Sequence, residues 1–143
     1  MKKEKLDIYS IDSRVMVKDL GFVKLYYNRE LDIIESVYQE NCVIDKEEAI
    51  LIIQTSRDFN NVSNKYILAT GLSDFINITP EARIVFAEEM KHDMHLQKMA
   101  IHINSLAYRI LSNFFIRFNK PPIQSKVFNN RKAAIDWLLE TQV

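Results

Sequence analysis

Ile78-Thr79-Pro80-Glu81-Ala82-Arg83 is the stretch that decides the fold, because it marks the start of a helix. The hydroxyl of Thr79 suits the N-cap position, where it accepts a hydrogen bond from an unpaired backbone N–H. Proline is favoured at the first helical position, since its missing N–H needs no partner there. An apolar stripe follows at helical spacing, formed by Ala82, Val85, Phe86 and Met90. The sequence therefore predicts a helix that begins at Pro80.

Short apolar runs alternate with helix starts on both sides of this helix. Residues 66–70, 99–103 and 126–128 form such runs, and their weak alternation is typical of strands covered by helices on both faces. Further helices are predicted from Asp45 to Phe59, from Asn104-Ser105 to Pro121-Pro122, and after Asn129 or Asn130. This order predicts parallel strands joined by helices.

Residues 1–44 show a different pattern, in which apolar and polar residues alternate. The alternation predicts two or three antiparallel strands at one side of the sheet. Residues 29–40 are also compatible with a short helix, because Leu31, Ile34, Val37 and Tyr38 stand at near-helical spacing. The predicted fold is an α/β mixed sheet with an antiparallel N-terminal part, parallel strand–helix units, and helices packed on the sheet.

Composition narrows the class of protein. The chain has 143 residues, 48% of them hydrophobic, which suits one domain spanning residues 1–143. Its 19 basic and 19 acidic residues cancel, so nucleic acid is not an expected partner. The single cysteine, Cys42, cannot form an internal disulfide, and no signal-like apolar stretch follows the first lysines. We expect a cytoplasmic protein without a transmembrane segment, since the longest apolar runs are too short to cross a bilayer.

The carboxyl ends of the predicted parallel strands define a candidate binding edge. Ligands of open α/β sheets bind beyond these ends, where helix N-termini present unpaired N–H groups. The residues placed there are Ser73, Asp74, Asn77, Thr79, Asn104, Ser105, Asn129 and Asn130. They are hydrogen-bonding residues rather than strong catalysts, so we predict binding at this edge and no catalytic residue.

The histidine and cysteine residues do not predict a metal site or a catalytic nucleophile. His92, Asp93 and His95 lack a third metal ligand at a known spacing, which favours a solvated helix end over a metal site. His102 lies in a predicted buried strand and is interpreted as a hydrogen-bonded or half-exposed core residue. Cys42 lacks the signature of a catalytic nucleophile and is predicted to be partly buried and inert. We predict no metal and no cofactor.

The helix after Ser105 carries more apolar residues than one narrow core accommodates. Leu111, Phe114 and Phe115 are therefore candidates for an apolar pocket or an interface, with burial on a broad face as the alternative. Arg109 and Arg117 lie on nearly the same face of this helix. They are interpreted as a solvated charged stripe, with contact to an anionic partner as the alternative.

The chain from Ile78 to Leu139 resembles the SpoIIAA-like (STAS/SEC14-type) small bacterial proteins of uncharacterised function. The resemblance is carried by residues 78–83, 104–109, 113–122, 127–128 and 134–138. It implies a mixed sheet flanked by helices, and a role in regulatory protein contacts or in holding a small ligand. In anti-sigma-factor antagonists of this class, a serine that follows an aspartate at a helix start is phosphorylated. Here the acidic residue and the serine are absent, and Thr79 takes the serine's place.

These observations predict a non-enzymatic regulatory or protein-interaction module, in which Thr79 or Ser73 is the candidate phospho-acceptor. A protein partner, a homo-oligomer or both are expected. The alternative is a carrier that holds a lipid or another small apolar molecule, and an enzyme of unknown reaction is the third possibility. The interaction module predicts no internal void, whereas the carrier predicts an apolar cavity beside Leu111, Phe114 and Phe115.

Overall fold

The computed structural model describes residues 9–59, 66–71, 76–92 and 96–140. In the described part, the chain forms eight strands and four α-helices, preceded by a short 3-10 helix at Ile11–Ser13. The strands are β1 (Val15–Asp19), β2 (Val23–Asn28), β3 (Ile33–Tyr38), β4 (Val43–Ile44), β5 (Tyr66–Gly71), β6 (Asn77–Ile78), β7 (Lys98–Ile103) and β8 (Gln124–Phe128). The helices are α1 (Lys46–Phe59), α2 (Pro80–Met90), α3 (Leu106–Asn119) and α4 (Arg131–Leu139).

Six of these strands form one mixed sheet in the order β1-β2-β3-β5-β7-β8. The pairs β1–β2 and β2–β3 are antiparallel, while β3, β5, β7 and β8 are parallel neighbours. The predicted α/β class is confirmed, including its antiparallel N-terminal part. The alternative helix at residues 29–40 is wrong, because Ile33–Tyr38 pairs with strands on both sides and is buried on both faces.

A second, two-stranded parallel sheet joins β4 to β6, with Val43 opposite Asn77 and Ile44 opposite Ile78. From the sequence we expected Asn77 in the loop that leads to the helix at Pro80, and this is wrong because its backbone N–H donates to the Cys42 carbonyl in the ladder. Strands of two residues are too short to show alternation in a sequence. The small sheet fixes the start of α2 beside the start of α1.

The helix starts follow the capping residues predicted from the sequence. Thr79, Ser105 and Asn130 each accept a hydrogen bond from a backbone N–H in the first helical turn. Helix α3 ends at Lys120, whose φ of 45° is left-handed, directly before Pro121-Pro122. Asn60 and Asn61, which from the sequence we expected to follow the helix that ends at Phe59, lie outside the described residues.

The two faces of the large sheet carry separate parts of the core. Helix α4 packs on one face through Ala134, Ile135 and Leu138, which contact Leu68 and Ala100 of the sheet. Helices α1, α2 and α3 lie over the opposite face, where α1 packs on α2 and α3 packs on β7 and β8. Successive residues of a strand point to opposite faces, so one strand contributes to both layers. The layer beneath α1–α3 contains the candidate site.

Candidate functional site

A cavity of about 170 Å³ lies between the large sheet and helices α1, α2 and α3. Its lining is mostly apolar side chains. From the large sheet, the lining residues are Ile34, Ser36, Tyr38, Ile67, Ala69, Gly71, Met99, Ile101 and Ile103. From the helices, they are Ile52, Ile53, Ser56, Arg57, Arg83, Phe86, Glu89, Met90, Tyr108, Leu111, Ser112 and Phe115. The remaining lining residues are Ile76, Ile78 and Leu96. Protein interiors seldom leave a space larger than one water molecule, so this volume is a feature of the fold that needs an explanation.

Small residues in the middle strands leave this space. Ser36, Ala69 and Gly71 occupy the sheet floor at positions where larger side chains would reach toward the helices. A Cβ added to Gly71 would approach Ile76 Cδ1 to 3.0 Å, so the glycine also permits close packing at the end of β5. The cavity therefore follows from the side-chain sizes on β3 and β5.

The exposed lining residues mark where the cavity meets solvent. Leu111 is 37% exposed, and the side chains of Arg57 and Glu89 are 39% and 40% exposed. Arg57 Nη1 lies 2.9 Å from Glu89 Oε2, and Arg57 Nη2 donates to the Glu89 carbonyl at 2.9 Å. These contacts tie the end of α1 to the end of α2. The opening is therefore bordered by a neutralised ion pair and by an apolar side chain of α3.

Arg83 is the second arginine in the lining and is half-buried. Among the described residues, its guanidinium forms no hydrogen bond and no ion pair. The charged groups of the lining are thus two arginines, Arg57 and Arg83, and one carboxylate, Glu89. The lining therefore has one net positive charge. This charge belongs to Arg83, because the charges of Arg57 and Glu89 cancel in their ion pair.

The deeper polar groups of the cavity are uncharged at neutral pH. Burial raises the pKa of Tyr38 to about 12, although a hydrogen bond from Ser36 opposes the shift. The hydroxyl of Ser56 donates to the Ile52 carbonyl of its own helix at 2.8 Å. These groups allow hydrogen bonding to a bound molecule.

The predicted pocket residues fall partly on this cavity. Leu111 and Phe115 line it, and Phe115 is 7% exposed. The side chain of Phe114 lies outside the described part of the structure. Elsewhere on α3 the apolar residues Leu106 and Ile110 are 64% and 62% exposed. This helix therefore faces the cavity with one side and solvent with another.

The residues of the predicted binding edge lie elsewhere. Asn104 and Asn129 are exposed after β7 and β8, Asn77 is exposed in β6, and Ser105 and Asn130 cap α3 and α4. None of these five residues lines the cavity. Ser73 and Asp74 lie outside the described residues. Binding at the carboxyl edge of the sheet stays a prediction.

Thr79 occupies the N-cap of α2, and both hydrogen-bonding capacities of its hydroxyl are used. Its Oγ1 accepts from the Ala82 N–H at 3.1 Å and donates to Asp45 Oδ1 at 2.8 Å. The contact with Asp45 also connects the start of α2 to the start of α1. A phosphate on Thr79 would stand beside the Asp45 carboxylate, and repulsion between the two anions would oppose it. Phosphorylation of Thr79 stays a prediction.

A charged cluster is buried on the opposite face of the sheet, beneath α4. Glu35 is 3% exposed, and its Oε1 lies 2.8 Å from Arg14 Nη1 and 2.8 Å from Arg131 Nη2. Thr70 donates its hydroxyl to Glu35 Oε2 at 2.7 Å. Burial acts to raise the pKa of Glu35, but the two arginines and Thr70 outweigh it and hold the pKa below its usual value. The cluster joins β3, β5 and the first turn of α4.

His102 lies on β7 near this cluster and is 7% exposed. The prediction of a core histidine is confirmed, but hydrogen bonding of its Nδ1 is not, because this atom is buried and has no partner among the described residues. Burial lowers the pKa of His102, while Glu35 acts to raise it and Arg131 to lower it. The imidazole is therefore neutral in the folded protein at neutral pH.

We expect the free energy of unfolding to decrease as the pH falls below about 6.5, the usual histidine pKa. The folded-state pKa of His102 is depressed, so the unfolded chain binds a proton first, and stability is lost between the unfolded and folded pKa values. Urea denaturation at pH 7.5, 6.5 and 5.5 measures this slope. His102→Gln should flatten it, because the buried imidazole is then absent. Equal slopes in His102→Gln and the wild type would contradict the assignment.

The remaining residues that the sequence analysis considered for a chemical role are His92, Asp93, His95 and Cys42. His92 is exposed in the turn after α2, while Asp93 and His95 lie outside the described residues. Cys42 is 7% exposed, and burial raises the pKa of its thiol. A protonated buried thiol is a poor nucleophile, as the inert interpretation of Cys42 requires.

The sequence predictions missed Arg57, Arg83 and Glu89 as lining residues and Glu35 as a buried charge. Arg83 belongs to the stretch that predicted α2, but its spacing gave no indication of the cavity. Glu35 carried a usable signal, because it interrupts the apolar strand Ile33–Tyr38. A charge within such a strand indicates a buried ion pair.

The sheet order and the helices define a SpoIIAA-like fold. The structure is similar to the crystal structure of an uncharacterised protein of the DUF3478 family with a SpoIIAA-like fold from Shewanella loihica PV-4. The TM-score is 0.51 with 14% sequence identity, over 87% of this chain and 91% of that chain. At this identity the similarity shows the fold alone, and the predicted resemblance is confirmed at that level.

The chain belongs to the DUF7793 family, a domain of unknown function, whose model matches residues 27–142. No curated protein matches the chain. Within the described residues, no helix combines the length and apolar character that crossing a bilayer requires.

Proposed function

We propose that this protein binds a small apolar molecule in the cavity between the sheet and helices α1–α3. The volume of about 170 Å³, with its mostly apolar lining, is the observation that carries the proposal. An engineered protein cavity of about 150 Å³ with aliphatic and aromatic walls binds benzene. A ligand of that size or an alkyl chain of similar volume fits this site. The binding role corresponds to the carrier alternative of the sequence analysis.

The energetics of packing support this role. The cavity opens to solvent, so its mostly apolar walls forgo burial against protein, which is worth about 25 cal/mol per Å² of apolar surface. A bound apolar molecule regains part of that loss through contacts with the walls. The small residues Ser36 and Ala69 maintain the space where larger apolar residues would fill it.

The polar groups of the site favour binding over catalysis. Among the lining residues, Glu89 is paired with Arg57, and Tyr38 has a pKa of about 12. The Tyr38 hydroxyl is therefore protonated near neutral pH, and the Glu89 carboxylate is held by Arg57. We therefore propose a binding protein rather than an enzyme.

Isothermal titration calorimetry with 1-butanol, 1-hexanol and 1-octanol tests the proposed function. We expect one-to-one saturable binding whose affinity rises about fourfold for each added methylene until the cavity is filled. The mostly apolar walls explain this dependence, because each methylene leaves water for protein contacts. Absence of saturable binding, or an affinity that does not depend on chain length, would count against the proposal.

The exposed side of α3 supports a second function, contact with another protein. Leu106, Ile110 and Phe118 are more than 60% exposed, at 64%, 62% and 63%. Apolar side chains gathered on a surface are typical of interaction sites. The interaction module, including self-association, is therefore retained as the second candidate.

A further inference from the structure

The charges that line the cavity indicate which class of apolar molecule enters it. Arg57 is neutralised, because Glu89 lies 2.9 Å from one of its terminal nitrogens and the Glu89 carbonyl 2.9 Å from the other. Arg83 lines the same cavity and forms no hydrogen bond or ion pair among the described residues. One of the two cavity arginines thus retains its donors for another acceptor.

The surroundings of Arg83 make an unpaired guanidinium notable. Arg83 as a whole residue is half-buried, and it lies on the same helix as the lining residues Phe86 and Met90. Arginine on a protein surface is commonly solvated, but a half-buried guanidinium gains more from an anionic partner because water screens it less. Its planar donor fork matches a carboxylate group, which it binds through two parallel hydrogen bonds.

The ligand must therefore match both the apolar walls of the cavity and the unpaired charge of Arg83. The walls favour an alkyl or aromatic body, and Arg83 favours a negatively charged head. We propose that the ligand is an amphipathic carboxylate, with its apolar body in the cavity and its carboxylate paired with Arg83. This inference rests on the proposed function and specifies the ligand class for the same cavity.

Octanoate and 1-octanol provide the test, because they share a chain length and differ in the charge of the head group. Calorimetric titration at pH 7.5 compares the wild type, Arg83→Gln and the matched control Arg117→Gln. Arg117 is exposed on α3 and does not line the cavity, so its replacement removes the same charge elsewhere.

We expect the wild type to bind octanoate at least about tenfold more tightly than 1-octanol, as for a charge-assisted hydrogen bond. Arg83→Gln should weaken octanoate binding by about ten- to a hundredfold and change 1-octanol binding less than about twofold. Arg117→Gln should behave as the wild type with both compounds. Added salt should reduce the preference for octanoate, since it screens the partly exposed charge.

The outcomes separate this inference from the proposed function. Binding of 1-octanol without a preference for octanoate, or an unchanged preference in Arg83→Gln, overturns the carboxylate assignment and leaves the apolar cavity supported. Failure of both compounds to bind the wild type overturns the proposed function itself. If Arg83→Gln does not fold, the wild-type preference and the variant Arg83→Lys decide the question, because the lysine keeps the charge and should keep part of the preference while losing the paired hydrogen bonds.

Discussion

Replacement of Glu35 by glutamine is expected to lower the free energy of unfolding by about 3–5 kcal/mol, because it removes the buried anion that two partly buried arginines share. Glu35 is 3% exposed and lies 2.8 Å from both Arg14 and Arg131. The variant keeps the side-chain shape and removes only the charge. Urea denaturation at pH 7 measures the loss.

Glu89→Gln is the matched control for this prediction. Glu89 also pairs with an arginine, at 2.9 Å from Arg57, but both side chains are about two-fifths exposed, at 40% and 39%. Exposed ion pairs contribute about 0–1 kcal/mol, so this variant should retain nearly full stability. Equal losses in Glu35→Gln and Glu89→Gln would show that the buried cluster does not hold β3 to α4.

The same cluster gives the stability of the protein an acid limit. The pKa of Glu35 is lowered in the folded state, so its contribution is present above the usual carboxyl pKa. It is lost as the pH falls through the folded-state pKa, where the carboxylate is protonated. The histidine-dependent loss begins at a higher pH, because in the unfolded chain a histidine binds its proton at about pH 6.5 and a glutamate only at about pH 4.3.

Replacement of Ala69 by phenylalanine is expected to abolish ligand binding while the protein remains folded. Ala69 lies in the middle of β5 on the floor of the cavity, and a phenyl ring is the size of the ligand that a cavity of about 150 Å³ accepts. With the space filled, the affinity for 1-octanol should fall by more than about a hundredfold, since most of its methylenes lose their contacts. Calorimetry measures the loss of octanol binding, and thermal unfolding shows whether the variant remains folded.

Ala133→Phe is the control for that variant. Ala133 is exposed on α4, across the sheet from the cavity, so the same substitution there should leave binding unchanged. The melting temperature of Ala69→Phe should stay near that of the wild type, because the ring occupies existing space rather than displacing neighbours. Full retention of octanol binding in Ala69→Phe would place the ligand elsewhere.

Local signals in the sequence predicted most of the fold. The capping residues Thr79, Ser105 and Asn130 act within one helical turn, so their role is readable from a short stretch. The central strands β5 and β7 were predicted because strands covered on both faces carry runs of apolar residues, whereas β8 is an edge strand and is only partly buried. The small sheet formed by β4 and β6 was missed, since its pairing joins residues about 34 positions apart through two-residue strands.

The candidate site depends on distances that no local pattern contains. The cavity exists because small residues of β3 and β5 face three helices whose separation is fixed by their packing on one another. Leu111 and Phe115 were predicted from the apolar excess of α3, which is a local property. The unpaired guanidinium of Arg83 was not predicted. Unlike Arg57, it has no partner among the described residues, and the partner of Arg57, Glu89, lies on a different helix, so no local pattern shows which arginine is paired.

Isotope-filtered nuclear Overhauser spectroscopy of the labelled protein with unlabelled 1-octanol tests the central claim most directly. If the cavity is the binding site, the alkyl protons of octanol will show contacts to the methyl groups of Ile67 and Ile101 on the sheet and of Leu111 on α3. Contacts confined to the exposed residues Leu106 and Ile110, or none to Ile67 and Ile101, would contradict a ligand within the fold.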